Sequence, residues 1–229
     1  MRLFLKLLAL TLLISVPWNA TAQDSNDHYD RVNLSANAQT QIENDIVIAT
    51  LFAEEQGSDT VQLADLVNQR IGQAIKQLKR HTAIKLQTNS YNTYPVYNRE
   101  KVVGWRVRQS IRLESRDMAL MSSLLGDLQQ SLSLQGISFA VSPELKNATD
   151  DLLIAEALNV FEQRAKNIIH QLGRRNYKIV DLTISTSANH IVQRQYEVAS
   201  MASSKMAAPA IEGGEQTLQV TVNGQIEME

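Results

Sequence analysis

Four histidines, His28, His81, His170 and His190, and no cysteine make up the chain's stock of soft metal ligands. No two of these histidines stand two, three or four residues apart. No single helix turn or strand therefore brings a pair to one metal ion. The lack of cysteine removes thiolate metal sites, cysteine nucleophiles and disulfides together. Neighbouring carboxylates occur at Glu54–Glu55 and Asp150–Asp151. Adjacent residues of a strand point to opposite faces, so the first pair cannot act on one substrate. The second pair is expected at the start of a helix, where the helix dipole favours negative charge. No G-x-S-x-G or S-x-x-K pattern occurs, nor a phosphate-binding G-x-x-x-x-G-K-[ST] loop, nor a G-x-G-x-x-G turn. No catalytic, cofactor-binding or metal-ligating residue is assigned. The chain is expected to be no enzyme and to use no cofactor.

The residues that remain are suited to contact. Arg106, Arg108 and Arg112 alternate with Trp105, Val107, Ile111 and Leu113 over one segment. Such period-two patterning predicts a strand with one dry face and one wet face. Trp105, Val107, Ile111 and Leu113 are expected to be buried against helices. The arginines are expected on the wet face with Ser110 and Glu114. Tyr91, Tyr94 and Tyr97 precede this strand across the turn Asn98-Arg99-Glu100-Lys101. Aromatic residues and arginine are enriched in protein interfaces. Tyr91, Tyr94, Tyr97, Arg106, Arg108 and Arg112 are therefore the candidate self-association surface, on a hairpin of residues 84–97 and 102–114. Against this stands the plainer reading of sheet packing and solvated charge balanced by Glu114.

The elements that must position this hairpin follow from the periodicity. Strands are expected around residues 31–39 and 45–54. Gly57-Ser58 breaks the second, and Asp59 caps a helix with Gln62 three residues on. Val61, Ala64, Val67, Ile71, Ala74, Ile75 and Leu78 keep the helical period. After the hairpin, Ser115 or Asp117 caps a second helix with the stripe Leu120, Leu124, Leu125, Leu128 and Leu132, and Gly136 lies past its end. Residues 137–141 form a short strand that ends at Ser142-Pro143. A third helix begins near Thr149 or Asp150. Its inward side chains are Leu153, Ala157, Val160, Phe161, Ile168 and Leu172, and Gly173 closes it. Strands follow at 177–186 and 217–227, the last with Leu218, Val220 and Val222 on one face. The resulting order, ββ-α-ββ-α-β-α-β-β, predicts an α+β fold: a mostly antiparallel or mixed sheet with three helices packed on it.

The chain's address is written at its start. Arg2 and Lys6 precede an apolar run from Leu7 to Val16, and Ala20-Thr21-Ala22 gives a small-residue cleavage pattern. These features predict a signal peptide over residues 1–22, with cleavage before Gln23. The run is shorter than the ~20 residues a spanning helix needs. Without cysteine the processed chain cannot carry a lipid at its first residue, so a periplasmic protein rather than a lipoprotein is expected. Residues 23–30 are expected to be disordered. Residues 31–229 form the folded domain, with a flexible loop over 199–214 rich in Ala, Ser, Met and Gly. Taking Arg2 and Lys6 from the 22 basic residues leaves 20 against 24 acidic, a net charge of about −4. Such a balance argues against a nucleic-acid partner, which would call for a basic stripe.

Four stretches together resemble the SIMPL-domain (DUF541) family of exported bacterial proteins. They are Tyr91–Tyr97 with Gly104-Trp105-Arg106-Val107-Arg108-Gln109-Ser110, and Gly136-Ile137-Ser138-Phe139 leading to Ser142. The others are the helix with Ala155, Ala157 and Ala165 closing at Leu172-Gly173, and Pro209–Gln216 before the last strand. The first strand departs from the family pattern, with Ser35-Ala36-Asn37-Ala38 and Glu43-Asn44-Asp45 in place of glycines and Pro-Asp. The resemblance implies a periplasmic, homo-oligomeric protein with no established active site. Relatives are linked to oxidative-stress defence, immunogenic envelope proteins and ring-like assemblies. The expected function is assembly in envelope or oxidative-stress physiology. The alternative is a periplasmic small-ligand-binding or chaperone-like module, for which Met201 and Met206 offer adaptable contacts. The sequence names no ligand.

Overall fold

The computed structural model describes residues 30–187 and 209–229. The expected leader, residues 23–29 and most of the expected loop over 199–214 lie outside them. The element order is the expected one: β1 (Arg31–Glu43), β2 (Ile46–Gly57), α1 (Thr60–Leu78), β3 (Lys85–Asn98), β4 (Lys101–Ser115), α2 (Met118–Leu128), β5 (Ser133–Ala140), α3 (Pro143–Gln171), β6 (Tyr177–Ser187) and β7 (Glu215–Met228). The fold is α+β and antiparallel throughout. The strands form two sheets, each with its own core, where the sequence predicts one. One sheet runs β3-β4-β2-β5 and the other β1-β7-β6.

The four-stranded sheet is packed on one face by α1 and α2. Val47, Ala49, Leu51 and Ala53 alternate along β2; Leu113 and Ile111 of β4, opposite Ala49 and Leu51, share the same face, as does Val107 further along β4. Leu63, Val67, Ile71, Ala74 and Leu78 of α1 and Met121, Leu124, Leu125 and Leu128 of α2 close this core. Complete burial of each Val, Leu, Ile or Met among these stabilises by about 1.5–3 kcal/mol. The helices start where their caps dictate. The Asp59 carboxylate accepts from the Val61 and Gln62 amides at 2.9 and 3.2 Å, and Asp117 accepts from the Leu120 amide at 2.8 Å. These bonds satisfy amides that have no partner within the helix.

The three-stranded sheet packs on α3 through Leu218, Val220, Val222 and Ile226 of β7 and Ala36 and Ala38 of β1. Leu153, Ala157, Phe161, Ala165 and Ile169 face it from the helix. Three expectations for α3 are corrected. It begins at Pro143 rather than near Thr149, because Ser142 caps it (Oγ accepts from the Leu145 amide at 3.3 Å) and a proline suits the first helical position. Asp150 and Asp151 therefore do not lie at the helix start, and Asp150 instead pairs with Lys146 one turn before it. Ala165 and Ile169 replace Ile168 and Leu172 as buried positions, and Leu172 is 56% exposed beyond the end of the sheet. The helix closes as expected at Gly173, where φ is 70°. The Arg174 amide bonds to the Ile169 carbonyl, and that of Gly173 to His170, a Schellman ending. Gly136 does not end α2. It sits inside β5 opposite Thr50, where β5 starts four residues earlier than expected.

The two halves meet where the chain crosses between them. Asp45 on the β1–β2 crossing accepts the backbone amide of Ser142, on the β5–α3 crossing, at 2.6 Å. Arg116 lies 3.7 Å from Asp45 and 2.5 Å from Glu144. Burial raises the Asp45 carboxyl, but the bonds from Ser142 and the Arg116 charge outweigh it and hold the group below the ordinary carboxylate range. The segment before β7 joins the same junction: Ser122 donates to the Pro209 carbonyl at 2.7 Å and Asn44 to that of Gly213 at 2.8 Å.

Candidate functional site

Helices cover one face of the four-stranded sheet, and the other face carries the predicted arginines. Register places Arg106 between Gln56 of β2 and Tyr94 of β3, Arg108 between Glu54 and Asn92, and Arg112 between Thr50 and Gln87. Glu54 takes Arg106 at 3.5 Å and Arg108 at 3.4 Å. Arg108 also donates to Gln135 of β5 at 3.0 Å, and its guanidinium carbon lies 3.6 Å from the centroid of the Phe52 ring. This cation–π contact fixes the side chain flat on the sheet. Arg112 bonds to Glu114 at 2.7 Å, and Lys85 reaches the same carboxylate at 3.2 Å. The Arg112 hydrogen bond, reinforced by Lys85, holds the Glu114 carboxyl below the ordinary carboxylate range. Glu55, one residue from Glu54, turns to the opposite face and meets Arg70 of α1 at 2.6 Å.

A shallow hollow of about 290 Å³ lies on this face, lined by Glu54, Asn89, Ser90, Asn92, Tyr94, Arg106, Arg108, Ser110 and Gln135. Ser90 and Ser110 share a hydrogen bond of 2.6 Å at its floor. No histidine lines it, so neither serine has an imidazole base within the hollow, and its one carboxylate is engaged by two arginines. It can grip an anionic or amide-bearing group; it lacks the nucleophile–base pair that covalent catalysis needs. Among the described residues no three His, Asp or Glu side chains are placed to hold a metal ion.

The six predicted surface residues do not form one patch. Tyr94, Arg106, Arg108 and Arg112 share the open face. Tyr91, opposite Gln109, alternates to the helix-side face. Tyr97 lies beside the turn, 61% exposed. Two expectations about β4 are corrected. Trp105 is not buried against helices; it is 36% exposed. It sits opposite Gly57, the last residue of β2, and Pro95 of β3, so no large side chain flanks it. Ser110 is buried rather than wet, because Asn89, skipped in the β3–β4 register, and Ser90 close over it.

Beyond Trp105 the hairpin continues without β2. Residues 96–98 and 101–104 pair only with each other, forming an arm that carries exposed Tyr97, Val102 and Val103. At its end Arg99 and Glu100 both have positive φ, 45° and 68°. A two-residue hairpin turn of this kind ordinarily uses Asn-Gly. The aromatic and apolar residues of the arm were visible in the sequence. Its length beyond the sheet, and the roles of Glu54, Phe52 and Gln135, depend on register between strands far apart in the chain.

No curated protein matches the chain. A family model does: SIMPL, described as a protein of unknown function (DUF541), matches residues 32–226. That span takes in both sheets, all three helices and the hairpin arm, and the chain belongs to the SIMPL family.

Proposed function

We propose that this is a non-enzymatic periplasmic protein that acts as a homo-oligomer in envelope or oxidative-stress physiology, with the β3–β4 hairpin as its contact element. The observation that carries this reading is the arm beyond Trp105, an exposed apolar ribbon that pairs with no third strand among the described residues. An isolated hairpin is marginal in water, and cover from a neighbouring molecule supplies the packing it lacks. The leader pattern of residues 1–22 supports export, and the chain without disulfides gains stability from association. Light scattering on the processed protein tests the reading. A mass of several chains that persists on dilution is expected; a strictly monomeric mass over a wide concentration range would overturn it. N-terminal sequencing of protein from the envelope fraction is expected to begin at Gln23.

The hollow around Arg108 favours a second reading, a small-ligand-binding module with no fixed assembly. A thermal-shift screen separates the two. Ligand-dependent stabilisation of a monomer supports the second, and its absence in an assembled protein supports the first.

A further inference from the structure

Among the described residues β6 is the edge strand of the three-stranded sheet, and α3 lies mainly over β1 and β7, leaving most of β6 uncovered. Ile179 and Ile184 pair with the fully buried Ile226 and Val222 of β7, and so lie on the sheet's apolar face. Yet they are 52% and 41% exposed, and every residue from Lys178 to Ser187 is exposed. Leu182, opposite Gly224, completes an apolar row, with exposed Val180 skipped in the register, beside a backbone edge unpaired among the described residues, a ready template for another chain. Two charges stand on this strand. Lys178 is tied to Glu227 at 2.8 Å. Asp181 has no ion pair among the described residues.

The hairpin arm is its counterpart. Among the described residues β3 is the edge strand of the other sheet, with its own unpaired backbone edge. The arm presents Tyr97, Val102 and Val103, flanked by Arg99 and Lys101, neither of which has an ion pair among the described residues. Arg99 and Glu100 hold positive φ without being glycine. Strain of this kind collects where the chain is used, and the turn retains charge at the tip at that expense.

We propose that the hairpin tip of one copy docks edge to edge on β6 of the next, apolar residues meeting on one face of the sheet and Arg99 and Lys101 meeting Asp181 on the other. The inference rests on the reading that the protein acts as a homo-oligomer, and adds to it which surfaces meet. The two surfaces belong to different halves of the chain, so the contact is heterologous: each copy gives one tip and receives one.

Mixing variants tests this. A tip variant (Tyr97→Ser, Val103→Lys) and an edge variant (Leu182→Lys, Ile184→Lys) are each expected to be folded and monomeric. Each keeps one sound surface, so an equimolar mixture is expected to give a heterodimer and nothing larger. If either variant alone keeps the wild-type mass, or the mixture stays monomeric, the proposal is overturned. If the wild-type protein is itself monomeric, the assembly reading has failed, a result distinct from either. A charge exchange gives a second arm should a variant fold poorly. Asp181→Lys is expected to weaken association at least tenfold, and adding Arg99→Asp and Lys101→Asp in the same chain to restore most of it. Equal association by all three proteins would remove the charge contact and overturn the proposal.

Discussion

Gly224, in the interior of β7, is a position where one methyl group should be felt. A Cβ placed there would lie 2.8 Å from the Asp181 backbone oxygen, 2.9 Å from Leu182 Cδ1 and 2.9 Å from Phe161 Cζ. The approach arises because β6 skips Val180 in its register with β7, and because the Phe161 ring, fully buried, rests on the glycine. The Gly224 φ is not in the left-handed region, so alanine's backbone preferences are met. Gly→Ala then stabilises through the unfolded state by about 0.4–1 kcal/mol. Overpacking costs about 1–3 kcal/mol. One of the three contacts is backbone, which cannot rotate away, so the cost exceeds the gain, and Gly224→Ala should destabilise by about 1–2 kcal/mol. Urea unfolding followed by far-UV circular dichroism measures this. Phe161→Leu removes one of the clashing atoms, so Gly224→Ala should cost less in that background, with a coupling of about 0.5–1 kcal/mol. Unchanged or greater stability for Gly224→Ala, or two losses that simply add, would refute the packing argument.

Ile111→Ala, at a fully buried position between β2 and β3, should cost about 2–5 kcal/mol by the same unfolding assay. Trp105→Ala should cost much less, since the ring is partly exposed, while lowering the scattering mass. Glu100→Gly should stabilise the monomer by about 1 kcal/mol by relieving the left-handed turn, as read from its melting temperature. Asp45 and Glu114 both titrate below the ordinary carboxylate range in the folded protein. Their contribution is therefore complete above that range and lost as the pH falls through it and beyond. Thermal unfolding from pH 7 downward should show this decline, and Asp45→Asn should flatten part of it. Replacing Arg106, Arg108 and Arg112 with Gln should leave the fold intact, since exposed ion pairs contribute little. Glu at these positions would instead add three acids to the face that holds Glu54 and Glu114.

The order of elements, the helix caps at Asp59 and Asp117 and the alternation along β4 and β7 were legible in the sequence because each rests on neighbours within a few residues. What was not legible depends on distant partners. β1 pairs with β7 across most of the chain, Arg31 opposite Glu227. A linear pattern cannot show that this pairing splits the strands into two sheets. Trp105 obeys its alternation, but at that register the neighbouring strand ends at Gly57 and the dry face runs out. Ser110 is polar by type and buried by its neighbours, Asn89 and Ser90. β6 has an apolar pattern that promises burial, and α3 leaves most of it uncovered. The start of α3 was legible and missed: Ser142 before Pro143 is a cap followed by a proline at the first helical position. At the candidate site the arginines were visible, whereas Glu54, Phe52 and Gln135 came to them only through cross-strand pairing.

The chain has two tryptophans, Trp18 and Trp105. Where residues 1–22 are cleaved as proposed, Trp105 is the sole indole of the processed protein, and it stands at the root of the hairpin arm. Its fluorescence across a dilution series, read with acrylamide quenching and alongside the scattering mass, tests the claim that the hairpin is the contact element. Burial in an assembly should shift the emission to the blue and lower the quenching constant at concentrations where the mass exceeds one chain. Dilution to monomer should reverse both. Emission and quenching that stay constant while the mass rises would place the contact elsewhere and contradict the account.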